Sequence, residues 1–214
     1  MDWNLPYPVS GKRFPEEEEE ARVLTLDEFQ KLMASVKKAC SSHTRRYLPE
    51  FCILGFYTAM RPGEMLGLEW SRVSFGRRTV ELRVQDTKGK SRRLVPLVDE
   101  SHDSLLRLRA VADEFFPDTP WIFTHTKPRY FGSRIQSVRR VWETAIARAG
   151  IPWATPHSLR HTSATEAVHA KNANVVDIMK RVGHKRLATT LEYLHTADER
   201  AQEEVANLQK IVTF

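Results

Sequence analysis

Apolar residues at Leu26, Phe29, Leu32, Met33 and Val36 recur at the three-and-four spacing of one helix face, and Thr25 stands three residues before Glu28 as in a capping box. A first helix is therefore predicted to open at Thr25. The apolar stretch over residues 47–59 predicts a second helix, and the Arg61-Pro62-Gly63 break leads into a short third helix carrying Glu64, Leu66 and Leu68. The pattern then changes period. Residues 79–84 and 91–97 alternate polar and apolar around a glycine-containing segment at 86–90, which predicts a β-hairpin. From residue 99 the helical period returns, at about 99–113, 132–149, 157–170, 174–182, 187–195 and 198–210. Trp121-Ile122-Phe123, between the first two of these, predicts a short third strand.

These elements give an α+β class, mainly α-helical, with a small antiparallel sheet of about three strands and no internal repeat. Residues 21–214 read as one domain. Residues 1–20 hold three prolines, one glycine and the run of five glutamates at 16–20, and are expected to be a linker or tail. With 214 residues, 41% of them hydrophobic, the chain has enough apolar material for a buried core, which excludes wholesale disorder. No run of about 18 apolar residues occurs, so no membrane partner is expected. Two cysteines, Cys40 and Cys52, make no disulfide framework and fit a reduced cytoplasmic protein.

Charge adds a partner. Lys and Arg number 33 against 27 Asp and Glu, for a formal net charge of +6, and the glutamate run alone accounts for five of the acids. The remaining excess points to a polyanion. It concentrates on the predicted hairpin, where Arg77, Arg78, Arg83, Lys88, Lys90, Arg92 and Arg93 form a footprint suited to a nucleic-acid backbone. Arg134, Arg139 and Arg140 are further candidate DNA contacts. Each of these side chains alone also reads as an ordinary solvated cation.

Candidate chemistry is narrower. Lys88-Gly89-Lys90-Ser91 is similar to the end of a phosphate-binding P-loop, but Val84 stands where that motif needs glycine. No HExxH, EF-hand loop or paired CxxC occurs, and no metal or cofactor is expected. His157 and His161 have a zinc-compatible spacing that is weak alone and lacks an accompanying carboxylate cluster. Thr155-Pro156 reads as an N-cap and first helical residue. It places His157 in the first turn and Arg160 one turn on, a combination suited to an anionic oxygen. Arg61 sits at an element boundary, where Glu64 three residues on can orient its guanidinium. Gly183 fits a helix C-cap before His184. Tyr193 lies about 100° off the Leu187, Leu191 and Leu194 stripe of the next predicted helix. A surface tyrosine is the plain alternative.

Four stretches acquire meaning jointly: Thr58-Ala59-Met60-Arg61-Pro62-Gly63-Glu64; Thr87-Lys88-Gly89-Lys90-Ser91-Arg92-Arg93-Leu94-Val95-Pro96-Leu97; His157-Ser158-Leu159-Arg160-His161-Thr162; and Val182-Gly183-His184 with Tyr193 nine residues later. In order and spacing, over residues 24–196, the chain resembles the catalytic domain of the tyrosine recombinase (phage integrase) family. The resemblance implies catalytic roles for Arg61, Lys88, His157, Arg160, His184 and Tyr193, with Glu64 supporting Arg61 and Lys90 a rival for the lysine role. It implies a site-specific recombinase or integrase of a phage or other mobile element, acting on double-stranded DNA in a prokaryotic cell through a 3′-phosphotyrosyl intermediate. The reaction needs no metal or cofactor. It further implies a homotetramer on DNA, compatible with a monomer in solution, in which residues 197–214 dock onto a neighbouring subunit. The family's N-terminal core-binding domain has no counterpart in this sequence, and the chain is expected to be a fragment of a longer protein. Type IB topoisomerase-like nicking and resealing, a catalytically silent DNA-binding protein and a metal-dependent nuclease are the alternatives.

Overall fold

Local capping starts the chain as its sequence requires. The Thr25 backbone N–H donates to Glu28 Oε2 at 2.9 Å and the Glu28 N–H to Thr25 Oγ1 at 3.2 Å, closing a reciprocal box at the head of α1 (Leu26–Ala39). The computed structural model describes residues 22–39, 47–86, 92–126, 128–169 and 174–183. After α1 come α2 (Tyr47–Thr58), α3 (Pro62–Leu66), β1 (Val73–Ser74), β2 (Thr79–Leu82), β3 (Arg93–Pro96), α4 (Asp99–Phe115), α5 (Arg139–Ala149), α6 (Pro156–His169) and α7 (Val175–Val182).

The apolar stretch at 47–58 becomes the central helix because it is apolar all round. Leu48, Phe51, Cys52 and Leu54 of α2 are buried, and α1, α4 and α6 pack about it. Phe51 meets Phe123 edge to face, with ring centroids 5.7 Å apart. Each large apolar side chain so buried contributes about 1.5–3 kcal/mol. Gly55 permits a close approach in this core. A Cβ there would lie 2.9 Å from Leu159 Cδ1, so α2 and α6 touch where glycine leaves room. Two buried hydrogen bonds fix the other side of α6. The Leu24 N–H donates to Thr162 Oγ1 at 2.9 Å, and that hydroxyl donates to the Ser158 carbonyl at 2.7 Å.

The sheet is antiparallel in the order β1-β2-β3, with Val80 opposite both Val73 and Val95. Val80, Leu82 and Val95 face the core, the alternation the sequence predicts. The mainly helical α+β class with a small three-stranded antiparallel sheet stands as expected, but the third strand is Val73–Ser74 rather than residues 121–123. Trp121 and Thr124 make isolated bridges to Glu69 and Arg134. Ile122 donates to the Leu68 carbonyl, while Phe123 accepts from the Ile135 N–H, so this segment divides its hydrogen bonds between two others and continues no ladder. The same bonds correct the helix expected over 132–149. The His125 N–H donates to Ser133 O and the Ile135 N–H to Phe123 O, which holds 132–138 out of helical geometry until α5 starts at Arg139. The third helix stops at Leu66, before Leu68. The predicted helices at 187–195 and 198–210, the tail at 1–20 and the hairpin tip at 87–91 lie outside the described residues. Among the described residues, no helix is long and apolar enough to cross a membrane.

Candidate functional site

Two helix N-termini converge at one end of the domain, and the chain reaches the first through a forced turn. α2 ends at Thr58, and the next residue, Ala59, has a φ of +53°, a left-handed conformation that costs about 1 kcal/mol or more for a residue with a Cβ. The turn aims the Ala59 carbonyl at α6, where Arg160 Nη1 donates to it at 2.6 Å. Arg61 follows in extended geometry as the cap of α3, with Pro62 in the first helical position. A contact 101 residues apart in sequence thus ties Arg160 to the base of Arg61.

Glu64 organises the rest. Its Oε2 accepts the Arg61 backbone N–H at 2.8 Å and its Oε1 accepts Arg61 Nη1 at 3.0 Å. Arg93 grips both oxygens, Nη2 to Oε2 at 2.7 Å and Nη1 to Oε1 at 3.3 Å. The Glu64 side chain is 2% exposed, Arg93 8% and Arg61 27%, so the shared carboxylate is sealed in while Arg61 retains an outward surface. Burial alone would raise the Glu64 pKa. Arg93, and then Arg61, outweigh it and hold the carboxyl below its ordinary range, ionised at neutral pH.

At the head of α6, the Thr155 N–H donates to Ser158 Oγ at 3.0 Å and the Ser158 N–H to Thr155 O at 2.9 Å. Pro156 begins the helix, and His157 and Arg160 stand one turn apart. Arg160 is buried, at 5% exposure. Burial, then the neighbouring charges of Arg160 and His157, push the His161 imidazole below its usual pKa. His161 is thereby kept neutral at neutral pH. Among the described residues, no three His, Cys, Asp or Glu side chains gather as a metal site. A cleft of about 520 Å³ opens between the two helix heads, lined by Pro62, Gly63, Arg139, Trp142, Thr155 and His157 among others. Backbone N–H groups, dipoles and guanidinium groups at such a junction favour an anion.

Arg61, Glu64, His157 and Arg160 are therefore brought to one end of the fold. Lys88, Lys90, His184 and Tyr193 lie outside the described residues. Of the expected DNA contacts, Arg92 is exposed with its Nε on Glu81 at 2.7 Å, Arg139 is exposed with its Nε on Glu143 at 2.8 Å, and Arg140 is exposed. Arg134 lies over the Trp121 ring at 5.2 Å. Arg93 departs from expectation: it belongs to the buried support of Arg61, not to the outer face of the hairpin. The signal for this was present, because Arg93 and Val95 are two apart on a strand and so share the inward face. The positive φ at Ala59 has no comparable mark in the sequence.

The family model described as the phage integrase family matches residues 22–200. The chain belongs to the phage integrase family. Among the relatives of this integrase-family chain, the tyrosine recombinase XerC of Corynebacterium glutamicum is 29% identical over 170 residues, covering 78% of this chain and 53% of the relative. The tyrosine recombinase XerD of Caulobacter vibrioides is 30% identical over 200 residues, covering 90% of this chain and 61% of that protein. The crystal structure of XerH site-specific recombinase bound to palindromic difH substrate, a post-cleavage complex, superposes with a TM-score of 0.72 at 20% identity, covering 98% of this chain and 60% of the other. That likeness establishes the fold. The integrase-family chain spans about half the length of the curated relatives it matches.

Proposed function

We propose that this integrase-family chain is a tyrosine-type site-specific recombinase that cleaves and rejoins double-stranded DNA, with residues 21–214 as its catalytic domain. The observation that carries the reading is the joining of two arginines at paired helix heads: Arg61 held by the buried Glu64, and Arg160 tied to the Ala59 carbonyl, with His157 one turn before Arg160 on α6. Such an arrangement clamps the non-bridging oxygens of a phosphodiester.

In the proposed reaction the Tyr193 hydroxyl attacks the scissile phosphorus. The P–O5′ bond breaks, and a 3′-phosphotyrosyl ester and a 5′-hydroxyl result. Deprotonating a tyrosine of ordinary pKa at neutral pH costs about 4 kcal/mol, and His157 takes that proton as general base. Lys88 gives a proton to the leaving 5′-oxygen, and His184 adds a hydrogen bond to the phosphate. Attack by the 5′-hydroxyl of another strand reverses the chemistry and completes exchange, which two DNA sites held by a homotetramer allow. No metal or high-energy cofactor enters, since the ester linkage stores the bond energy. Lys90, Arg92, Arg134, Arg139 and Arg140 supply phosphate or base contacts in this proposal.

The test is incubation with supercoiled plasmid in EDTA, an SDS quench, and detection of covalent protein–DNA adduct beside a Tyr193→Phe control. Adduct that forms with the chelator present and disappears in the variant is expected. Adduct that persists in Tyr193→Phe, or that appears only when a divalent cation is restored, overturns the reading.

A further inference from the structure

The Arg93 side chain is turned away from solvent. Its guanidinium fills the space between Glu64 and the C-terminal turn of α7. Gly183 closes that helix with φ +77° and its N–H on the Met179 carbonyl at 2.8 Å. A Cβ at Gly183 would lie 2.7 Å from Arg93 Nη1 and 3.0 Å from Cζ, so the absence of a side chain there is what lets the guanidinium fit. Three segments therefore meet on one planar fork: α3 with Arg61, β3 leading from the hairpin, and the turn immediately preceding His184. Among the described residues, Arg93 Nε is buried with no hydrogen-bond partner, a poor arrangement if the pair served stability alone.

We infer that Arg93 is a positioning residue for strand cleavage, one that fixes Arg61 through their shared carboxylate. The inference rests on the recombinase reading above. Only arginine suits the place, because both carboxylate oxygens are gripped at once by a rigid fork, which a lysine ammonium cannot reproduce. Without it, Glu64 has Arg61 as its one remaining arginine and draws that guanidinium away from the phosphate. The cost falls on the rate at saturating DNA, and affinity is left nearly unchanged.

The experiment compares wild type, Arg93→Met, Arg93→Lys, Arg61→Ala and the Arg61→Ala/Arg93→Met double variant. Adduct formation on supercoiled plasmid in EDTA is read alongside affinity for a duplex of arbitrary sequence. Arg93→Met is expected to slow adduct formation about 10- to 100-fold, the penalty of a slightly misplaced group, with affinity within about twofold. In the Arg61→Ala background the same change is expected to cost less than about threefold, because a residue acting through Arg61 has nothing left to position. Arg93→Lys, which keeps the buried charge and so the fold, is expected to fall between. A third readout needs no activity: exchange of the Arg61 guanidinium protons, followed by NMR in the full chain, is expected to quicken in Arg93→Met or, if that variant does not fold, in Arg93→Lys. Losses that multiply in the double variant, reduced affinity at an unchanged rate, or unaltered Arg61 exchange would overturn the inference. A wild type that forms no adduct while Arg61 exchange responds would count against the recombinase reading and leave the coupling of Arg93 to Arg61 standing.

Discussion

Replacing Glu64 by glutamine keeps its shape and removes its charge. Each carboxylate oxygen accepts two hydrogen bonds, one from Arg61 and one from Arg93. Glutamine retains one accepting oxygen and confronts the remaining two donors with an amide NH2. Two charge-assisted bonds are lost, at about 1.5–3 kcal/mol each, offset in part by the lower cost of burying an amide. We expect Glu64→Gln to destabilise the fold by about 3 kcal/mol at pH 7, at the lower end of what removing one member of a buried pair costs. For a domain of this size that corresponds to a fall in Tm of about 6–12 °C. Because Arg93 and Arg61 hold the Glu64 pKa down, the wild-type advantage is fully present above the ordinary carboxyl pKa and is lost as pH falls through the depressed folded value. Glutamine does not titrate, so the gap must close in acid. Urea unfolding of both proteins from pH 7 to below pH 4 measures it. A gap under about 0.5 kcal/mol at pH 7, or one that stays constant with pH, would refute the buried double ion pair.

Other consequences are direct. Arg160→Ala removes the guanidinium that holds the Ala59 carbonyl and should lower the adduct-forming rate by about 10²–10³; an unchanged rate would remove Arg160 from the phosphate clamp. The depressed pKa of His161 means that the unfolded chain takes up a proton before the folded one does. Stability should therefore decline as pH falls below about 6.5, and His161→Gln should flatten that decline; parallel urea midpoints for the two proteins from pH 7.5 to 5.5 would sink the assignment. Gly55→Ala should destabilise by about 1–3 kcal/mol and slow adduct formation, since the new methyl pushes Leu159 and α6 from α2. Wild-type midpoint and rate in that variant would show that the helix spacing is not set there.

What the sequence revealed and concealed divides along the range of the interactions. Capping at Thr25 and Thr155, the apolar stripes, the hairpin alternation and the Arg61–Glu64 pair act within about four residues, and each is readable from neighbours alone. The false strand at 121–123 and the early start given to α5 arose where backbone bonds run to distant segments, for which apolar periodicity carries no information. The same holds at the site. Glu64 was legible as a partner of Arg61, but its second arginine comes from 29 residues away, and the carbonyl held by Arg160 from 101 residues away. Charge density on the hairpin marked seven cations without telling inward from outward. Strand alternation, applied to Arg93 and Val95 together, separates one of them from the rest.

That buried arginine also changes the charge arithmetic of the proposed reaction. Among the described residues around the Glu64 ion pair and the Arg160–Ala59 contact, the guanidinium groups of Arg61, Arg93 and Arg160 stand against one ionised carboxylate, Glu64, and His161 is held below its usual pKa by burial, then by Arg160 and His157. These groups alone sum to two positive charges, and the proposed Lys88 ammonium adds a third. A phosphodiester brings one negative charge, whereas the five-coordinate phosphorus formed by attack of a deprotonated tyrosine carries two. A positive field of this kind gains strength as negative charge builds on the phosphorus, which is the condition for binding energy to lower the barrier and not merely hold the substrate. Glu64 serves that field by fixing the direction of Arg61, its own charge shared between two guanidinium groups. Removing its charge should then slow cleavage more than it alters DNA affinity, a split that a purely structural carboxylate would not produce.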